Sequence, residues 1–390
     1  MNSWEPVTHV TESVSRLGGG VAEVVRQVGR VLIARGRCVR VVGSGDKYAS
    51  DDVEGRLLAH SKFYRVIRFA GVPLTWDLMS AIRVGQPSLI HMHGIWPWWT
   101  WRVARYADES GIPYVVAPHG MLDAWARRYQ SRSRKSIAER LYVRKVVEGA
   151  ACVHATSEAE HDQLRTWGYA GPIAVIENGV RWSFPRVCDP PSEFALGRHT
   201  LLYLGRVDPK KGVLELVSAW SHLSNVVRSE WQLVIIGWSR YQSYWARVRE
   251  LADLFDDSEV CLADPRYGTE KWQALGHARG FILPSSSEGL PLSVLEAWSA
   301  GLPVLMSSAC NLEEGFSLGA AIRCGTTPGS IAAAIETLAA MSSGKRSALG
   351  NRGRELVENK YSWETTVDRL VGVYQWLGGS TDQPVTVARL

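Results

Sequence analysis

The sequence predicts an α/β protein of two parallel-sheet domains facing a cleft, and three observations predict it. Short β-branched runs alternate with helical patterns along most of the chain, as strands covered by crossover helices do. The 390 residues exceed what one ordinary core accommodates. Between the two alternating halves lies an aperiodic stretch, 184–198, with Pro185, Pro190 and Pro191, which reads as a linker.

In the first half, strands are expected at 6–10, 39–43, 89–92, 114–117, 152–155 and 173–176. Helices are expected over 21–35, 99–110, 136–149 and 158–167. The second half repeats the alternation, with strands at 201–204, 231–236, 280–283 and 303–306. Its helices should cover 212–223, 244–254, 271–278, 291–300, 330–341 and 343–359. A last helix, 363–377, follows Tyr361 and Ser362, with Ser362 as its N-cap. The polar tail from Gly378 is expected to fray. Ligands bind at the carboxyl ends of open parallel sheets, so two such units predict a two-sided site.

Composition narrows the class. Apolar residues make up 46% and charged ones 21%, which is globular. The formal net charge of +5 is compatible with an anionic substrate, an anionic membrane surface or nucleic acid. Cys38, Cys152, Cys188, Cys261, Cys310 and Cys324 show no CxxC pair and no Cys/His cluster at metal spacing, so reduced thiols in a cytoplasmic protein are expected. The N-terminus lacks a basic segment followed by an apolar run, and no stretch reaches the roughly 18 apolar residues of a spanning helix.

Two loops carry the chemistry. The run Ser285-Ser286-Ser287-Glu288-Gly289-Leu290-Pro291-Leu292 leads from a strand into a helix, with Pro291 expected at the first helical position. The start of that helix offers unpaired N–H groups to a diphosphate. Glu288 ahead of it and Glu296 inside it could accept hydrogen bonds from sugar hydroxyls. Two Glu eight apart are common; the strand–loop–helix setting is what makes these two informative. The second loop, Gly205-Arg206-Val207-Asp208-Pro209-Lys210-Lys211-Gly212, likewise follows a strand. Arg206 suits bidentate phosphate contact and Lys211 adds a point charge. No Asp-x-Asp motif occupies a loop, so these cations would neutralise a departing diphosphate and no metal or cofactor is expected.

In the first half, Gly18-Gly19-Gly20 joins a strand to a helix. A dinucleotide fingerprint, a tight turn and an acceptor-side loop would look alike there, although the acidic residue a dinucleotide site needs further on is missing. His119, in Pro118-His119-Gly120, stands at a strand's carboxyl end and should face a cleft. His91 and His93 flank another strand end, where neither need face the other. With no third ligand nearby, a joint metal site is not expected.

On these residues the chain resembles glycosyltransferase family 4, of the GT-B fold with its two Rossmann-like domains. The resemblance runs in order through Gly18-Gly19-Gly20, His91-Met92-His93-Gly94, Pro118-His119-Gly120-Met121, Thr156-Ser157-Glu158, Glu177-Asn178-Gly179-Val180, Gly205-Arg206 with Lys211, Glu288 to Glu296, Gly301-Leu302-Pro303-Val304 and Tyr361-Ser362-Trp363. It implies a retaining, metal-independent, hexosyltransferase-type reaction from a nucleoside-diphosphate sugar to a saccharide or lipid-linked acceptor, in cell-surface polysaccharide or lipopolysaccharide assembly. By position, Arg206 and Lys211 would hold the diphosphate, Glu288 the donor sugar's hydroxyls and Glu296 the ribose. Gly289, Leu290 and Leu292 would line the donor site. His119 would lie beside the donor sugar, Gly19 and Gly20 would border the reaction centre, and Asp264 to Gly268 would meet the nucleobase. Domains would span 1–184 and 185–362, with helix 363–378 crossing back to the first and 379–390 as tail. Two positions depart from the family: Arg181 stands where relatives often carry Asp, and Leu290 where they often carry an aromatic residue.

Two features remain open. Trp96, Trp98, Trp99 and Trp101 crowd one window, fitting an acceptor or membrane contact, or loop packing. Arg127, Arg128, Arg132, Arg134, Lys135, Arg140, Arg144 and Lys145 form a basic run that reads as a solvated face or as attraction to anionic lipid. A same-architecture epimerase or phosphorylase and a non-catalytic sugar or nucleotide binder are the rival readings. Nucleic acid is not an expected partner, because the informative cations sit on a cleft loop and not along one aromatic-laced surface.

Overall fold

The computed structural model describes residues 4–53, 55–69, 72–75, 77–122, 132–181 and 189–388. They divide into two compact units, Met1–Gly179 with Trp363–Leu390, and Val180–Ser362. The expected boundary at 184/185, the linker residues 184–188, Cys188, Arg127 and Arg128 lie outside the described residues.

The sheet of the first unit has the order Val387–Ala388, Ile173–Val175, Cys152–Ala155, Tyr114–Ala117, Leu89–His93, Val7–Ser13, Val39–Ser44, Ser61–Tyr64. Neighbours run parallel except at the Val387–Ala388 edge, which is antiparallel. Tyr114–Ala117 and Cys152–Ala155 are buried throughout, as strands covered on both faces must be. The first strand runs further than expected because Thr11 and Ser13 continue its pairing with His93 and Ser44. The adjoining helix starts at Gly19, not Val21, and buries Ala22, Val25, Val28 and Leu32 at helical spacing.

Helix Trp363–Leu377 packs against Gly19–Ala34 in this same unit. It buries Val367, Leu370, Val373 and Tyr374, and is pinned by Arg35–Asp368 and Arg369–Glu177 ion pairs, both 2.6 Å. The fraying expected of the tail is corrected at its end. Val387 is buried, and its strand pairs through Ala174 of Ile173–Val175.

In the second unit the order is Val260–Ala263, Trp231–Ile236, His199–Leu204, Gly280–Leu283, Val304–Met306, Ala321–Arg323, all parallel. The central Trp231–Ile236 is buried at every position. The order reverses direction between His199–Leu204 and Gly280–Leu283. That junction is where open α/β sheets hold ligands, and both chemistry-bearing loops leave from it.

Candidate active site

Within the second unit, the 205–212 turn and the 284–291 loop lie side by side. The Ser286 N–H donates to the Lys210 carbonyl (2.7 Å). Gly212 permits the approach: its φ is +68°, and a Cβ there would lie 2.5 Å from the Pro284 carbonyl oxygen. Lys211 Nζ reaches Glu288 Oε1 at 2.6 Å, and Ser285 Oγ donates to that same oxygen at 2.6 Å. Burial pushes the Glu288 carboxyl up, but the charges of Lys211 and Lys210 and the two hydrogen bonds outweigh it and hold it below its ordinary value. Burial lowers the Lys210 ammonium. Arg206 is half-buried, and its guanidinium makes no ion pair among the described residues.

Helix Leu292–Ser299 follows. Pro291 is its N-cap, with extended backbone (φ −77°, ψ 102°), and not the expected first helical residue. Glu296 lies just over a turn inside and accepts from Lys271 Nζ at 2.6 Å. Asn311, in the left-handed region at φ +57°, donates to the carbonyls of Glu288 (2.6 Å) and Gly289 (3.2 Å) and so shapes the loop. Leu290 and Leu292 pack partly into the core. Sequence reasoning missed Ser285, Asn311 and Lys271 as partners of the two glutamates. Lys271 precedes Glu296 by 25 positions, and only folding makes them neighbours. Arg266, in the segment matched to the nucleobase region, pairs instead with Glu193 at 3.0 Å.

The first unit has its own reversal point, between Val7–Ser13 and Leu89–His93. Gly19 and Gly20 open the helix beyond the first of these strands, Gly19 with φ +59°. His119 also adopts a positive φ, +53°, a conformation that a non-glycine residue keeps only where its surroundings enforce it. Glu160, buried on helix Glu158–Trp167, braces the residue that follows. It accepts from the Gly120 N–H (2.5 Å), the Thr156 N–H (2.7 Å) and Thr156 Oγ1 (2.8 Å). Burial raises the Glu160 carboxyl despite these bonds, and burial lowers the His119 imidazole to about 3.

One expectation needs correction. A third histidine does lie beside His91 and His93: His9, and the ligand atoms of the three are all within 4.8 Å of one another and buried. Register creates the group, since His9 pairs directly with His91 on the neighbouring strand. Among the tryptophans, Trp99 is 3% exposed and packs in the core of the first unit. Trp96 is half-buried with Lys135 over its ring, whereas Trp98 is 39% exposed and stacks on Trp101.

Comparison with known proteins finds relatives that span both units. The model of the glycosyl transferase 4-like domain matches residues 19–179, and that of glycosyl transferases group 1 matches 189–356. The GDP-mannose:cellobiosyl-diphosphopolyprenol alpha-mannosyltransferase of Xanthomonas oryzae pv. oryzae is 27% identical, over 77% of this chain and 78% of that protein. The D-inositol 3-phosphate glycosyltransferase of Acidothermus cellulolyticus is 30% identical, over 75% and 67%. The crystal structure of Anabaena HepE with UDP and glucose superposes with a TM-score of 0.76 at 14% identity, over 94% of this chain and 98% of that one. Two parallel-sheet units are the fold of the GT-B glycosyltransferases. The chain belongs to that class at the level of family 4, joining a glycosyl transferase 4-like domain to a group 1 domain. These relatives are transferases, and the epimerase reading gains no support from them.

Proposed function

We propose that the protein is a retaining, metal-independent hexosyltransferase that takes its sugar from a nucleoside diphosphate and delivers it to a saccharide or lipid-linked acceptor in cell-surface polysaccharide assembly. The observation that carries this is the reversal point of the second sheet, where Arg206, Lys211 and the start of helix Leu292–Ser299 converge with two buried glutamates. Arg206 and Lys211 would neutralise the diphosphate as it leaves, Glu288 would bind sugar hydroxyls and Glu296 the ribose. His119 would contact the donor sugar. Each glutamate is already paired with a lysine, which leaves both poor ligands for a divalent ion. In the step itself the bond from the anomeric carbon to the phosphate oxygen breaks and the acceptor oxygen bonds on the same face. The acceptor's proton passes to the departing diphosphate.

The Xanthomonas relative uses GDP-mannose and a diphosphopolyprenol acceptor, and HepE was crystallised with UDP and glucose; both favour a nucleoside-diphosphate sugar here. No helix among the described residues is long and apolar enough to cross a membrane. Ile137 (57% exposed), Leu141 (66%) and Trp98 instead share the first unit with exposed Arg140 and Lys145, which favours peripheral contact with anionic lipid at the inner face of the cytoplasmic membrane.

The test is nucleotide release from a panel of GDP- and UDP-sugars, with and without lipid-linked acceptor and with EDTA. Acceptor-dependent release insensitive to EDTA, lost at least about a hundredfold in Lys211→Ala and Glu288→Ala, is the expected outcome. Full turnover by either variant would overturn the donor-site assignment.

A further inference from the structure

His9, His93 and His119 form a continuous chain of imidazoles in the first unit. His9 Nδ1 lies 3.0 Å from His93 Nε2, and His93 Nδ1 lies 2.9 Å from His119 Nε2. The rings are nearly parallel, with interplanar angles of 23° and 16°. Only His119 is on the loop that the proposed reaction uses; His9 and His93 lie on strands beneath it.

A neutral imidazole has one N–H and one bare nitrogen, so each ring can donate through only one of its two atoms. Two hydrogen bonds in series therefore lock the three tautomers together. Either every ring carries its proton on Nδ1 and donates toward His119, or every ring carries it on Nε2 and donates toward His9. The far end decides between them. Among the described residues His9 Nε2 is buried without a hydrogen-bond partner, and an orphaned buried N–H is rarer than an orphaned acceptor. A neighbour supplies an internal precedent. His154 Nε2 lies 2.8 Å from the Ile176 carbonyl, which can only accept, so its proton is on Nε2 and its buried, unpartnered Nδ1 is a bare lone pair.

We propose that His9 and His93 are positioning residues that hold His119 in its Nδ1–H tautomer. Burial supports a neutral chain, lowering His9 and His119 to about 3 and His93 well below its ordinary value. The consequence for turnover rests on the reading of His119 as a donor-sugar contact; the tautomer itself does not.

The experiment is long-range 15N–1H correlation on protein labelled with 15N-histidine, with His119 assigned from its loss in His119→Asn. In the wild type His119 should be protonated at Nδ1. In His9→Asp at pH 8, whose carboxylate accepts and cannot donate, His93 must turn its N–H toward residue 9, and the His119 signals should shift toward the Nε2–H form although residue 9 does not touch it. In His9→Asn, whose amide can donate in place of Nδ1, they should return. Donor KM should stay within about twofold while kcat falls about tenfold in His9→Asp and recovers in His9→Asn. A wild-type His119 protonated at Nε2 would overturn the proposal, and this needs no variant to fold. So would His119 signals unmoved by His9→Asp, or one equivalent of Zn2+ bound by wild-type protein through the His9, His91 and His93 nitrogens. A shifted tautomer with unchanged kcat would support the relay and remove His119 from the reaction.

Discussion

At Glu288, burial and pairing act in opposite directions, and pairing wins. Its carboxyl is held below the ordinary value, so the ion pair's contribution to stability is complete above the unfolded carboxylate range and is lost as pH falls through the depressed value. Lys211→Met removes the strongest lowering influence and leaves burial to dominate. The variant should lose about 3 kcal/mol near pH 8. It should then regain stability toward pH 5 as the stranded carboxylate takes up a proton. Urea midpoints measured at both pH values check this; parallel pH dependence of the two proteins would contradict it. His119 behaves differently. With its imidazole lowered to about 3, it stays neutral across the working range, and the pH–kcat profile between 5 and 8 should carry no limb that His119→Asn abolishes. Residue types at both positions were legible from the motif, whereas Ser285 and Asn311 were not. A serine and an asparagine on loops are too common to signal until folding brings them against Glu288.

Among the elements, the turn ending in Gly212 and the helix Trp363–Leu377 make the sharpest claims. Gly212→Ala puts a Cβ against the Pro284 carbonyl at a positive φ, and should cost about 1–3 kcal/mol. It should also weaken binding of UDP or GDP, since Lys211 precedes it; urea unfolding and nucleotide titration read the two effects separately. In the helix, the Tyr374 hydroxyl meets His91 Nδ1 at 2.7 Å, deep in the first unit. Tyr374→Phe strands that nitrogen and should cost about 1–3 kcal/mol with little change in nucleotide affinity, because the second unit is untouched. Central strands such as Trp231–Ile236 were readable as apolar β-branched runs. The edge strands Val260–Ala263, Ala321–Arg323 and Ser61–Tyr64 were not, since short, half-exposed edges lack the continuous apolar run that identifies a buried strand.

Over the whole molecule, the chain leaves the first unit after Gly179, builds the second, and returns at Trp363. The returning segment supplies buried Val367, Leu370, Val373, Tyr374 and Val387 to the first unit. Deleting residues 363–390 should therefore expose apolar surface on that unit and leave the second intact. Size-exclusion chromatography should show aggregation of the truncated chain, while an isolated 180–362 fragment remains monomeric and still binds nucleotide. A soluble, cooperatively unfolding 1–362 chain would contradict this. Exposed Arg140 and Lys145 of the first unit, with Trp98, Ile137 and Leu141, belong to the same scale. Charge reversal at Arg140 and Lys145 should reduce binding to anionic vesicles, with activity on a water-soluble acceptor retained.

The amino-acid order by itself determined the alternation of strands and helices, the two parallel sheets, and the two loops with their cations and glutamates. These are local patterns, written in periodicity and in residues a few positions apart. Tertiary structure alone decided which groups meet: Lys211 with Glu288 across 77 positions, Lys271 with Glu296, and the Glu160 carboxylate with the Gly120 N–H of the His119 turn. It also turned His9, His93 and His119 into one hydrogen-bonded chain. Strand register and burial bring such groups together from distant segments, and no spacing along the sequence encodes that proximity.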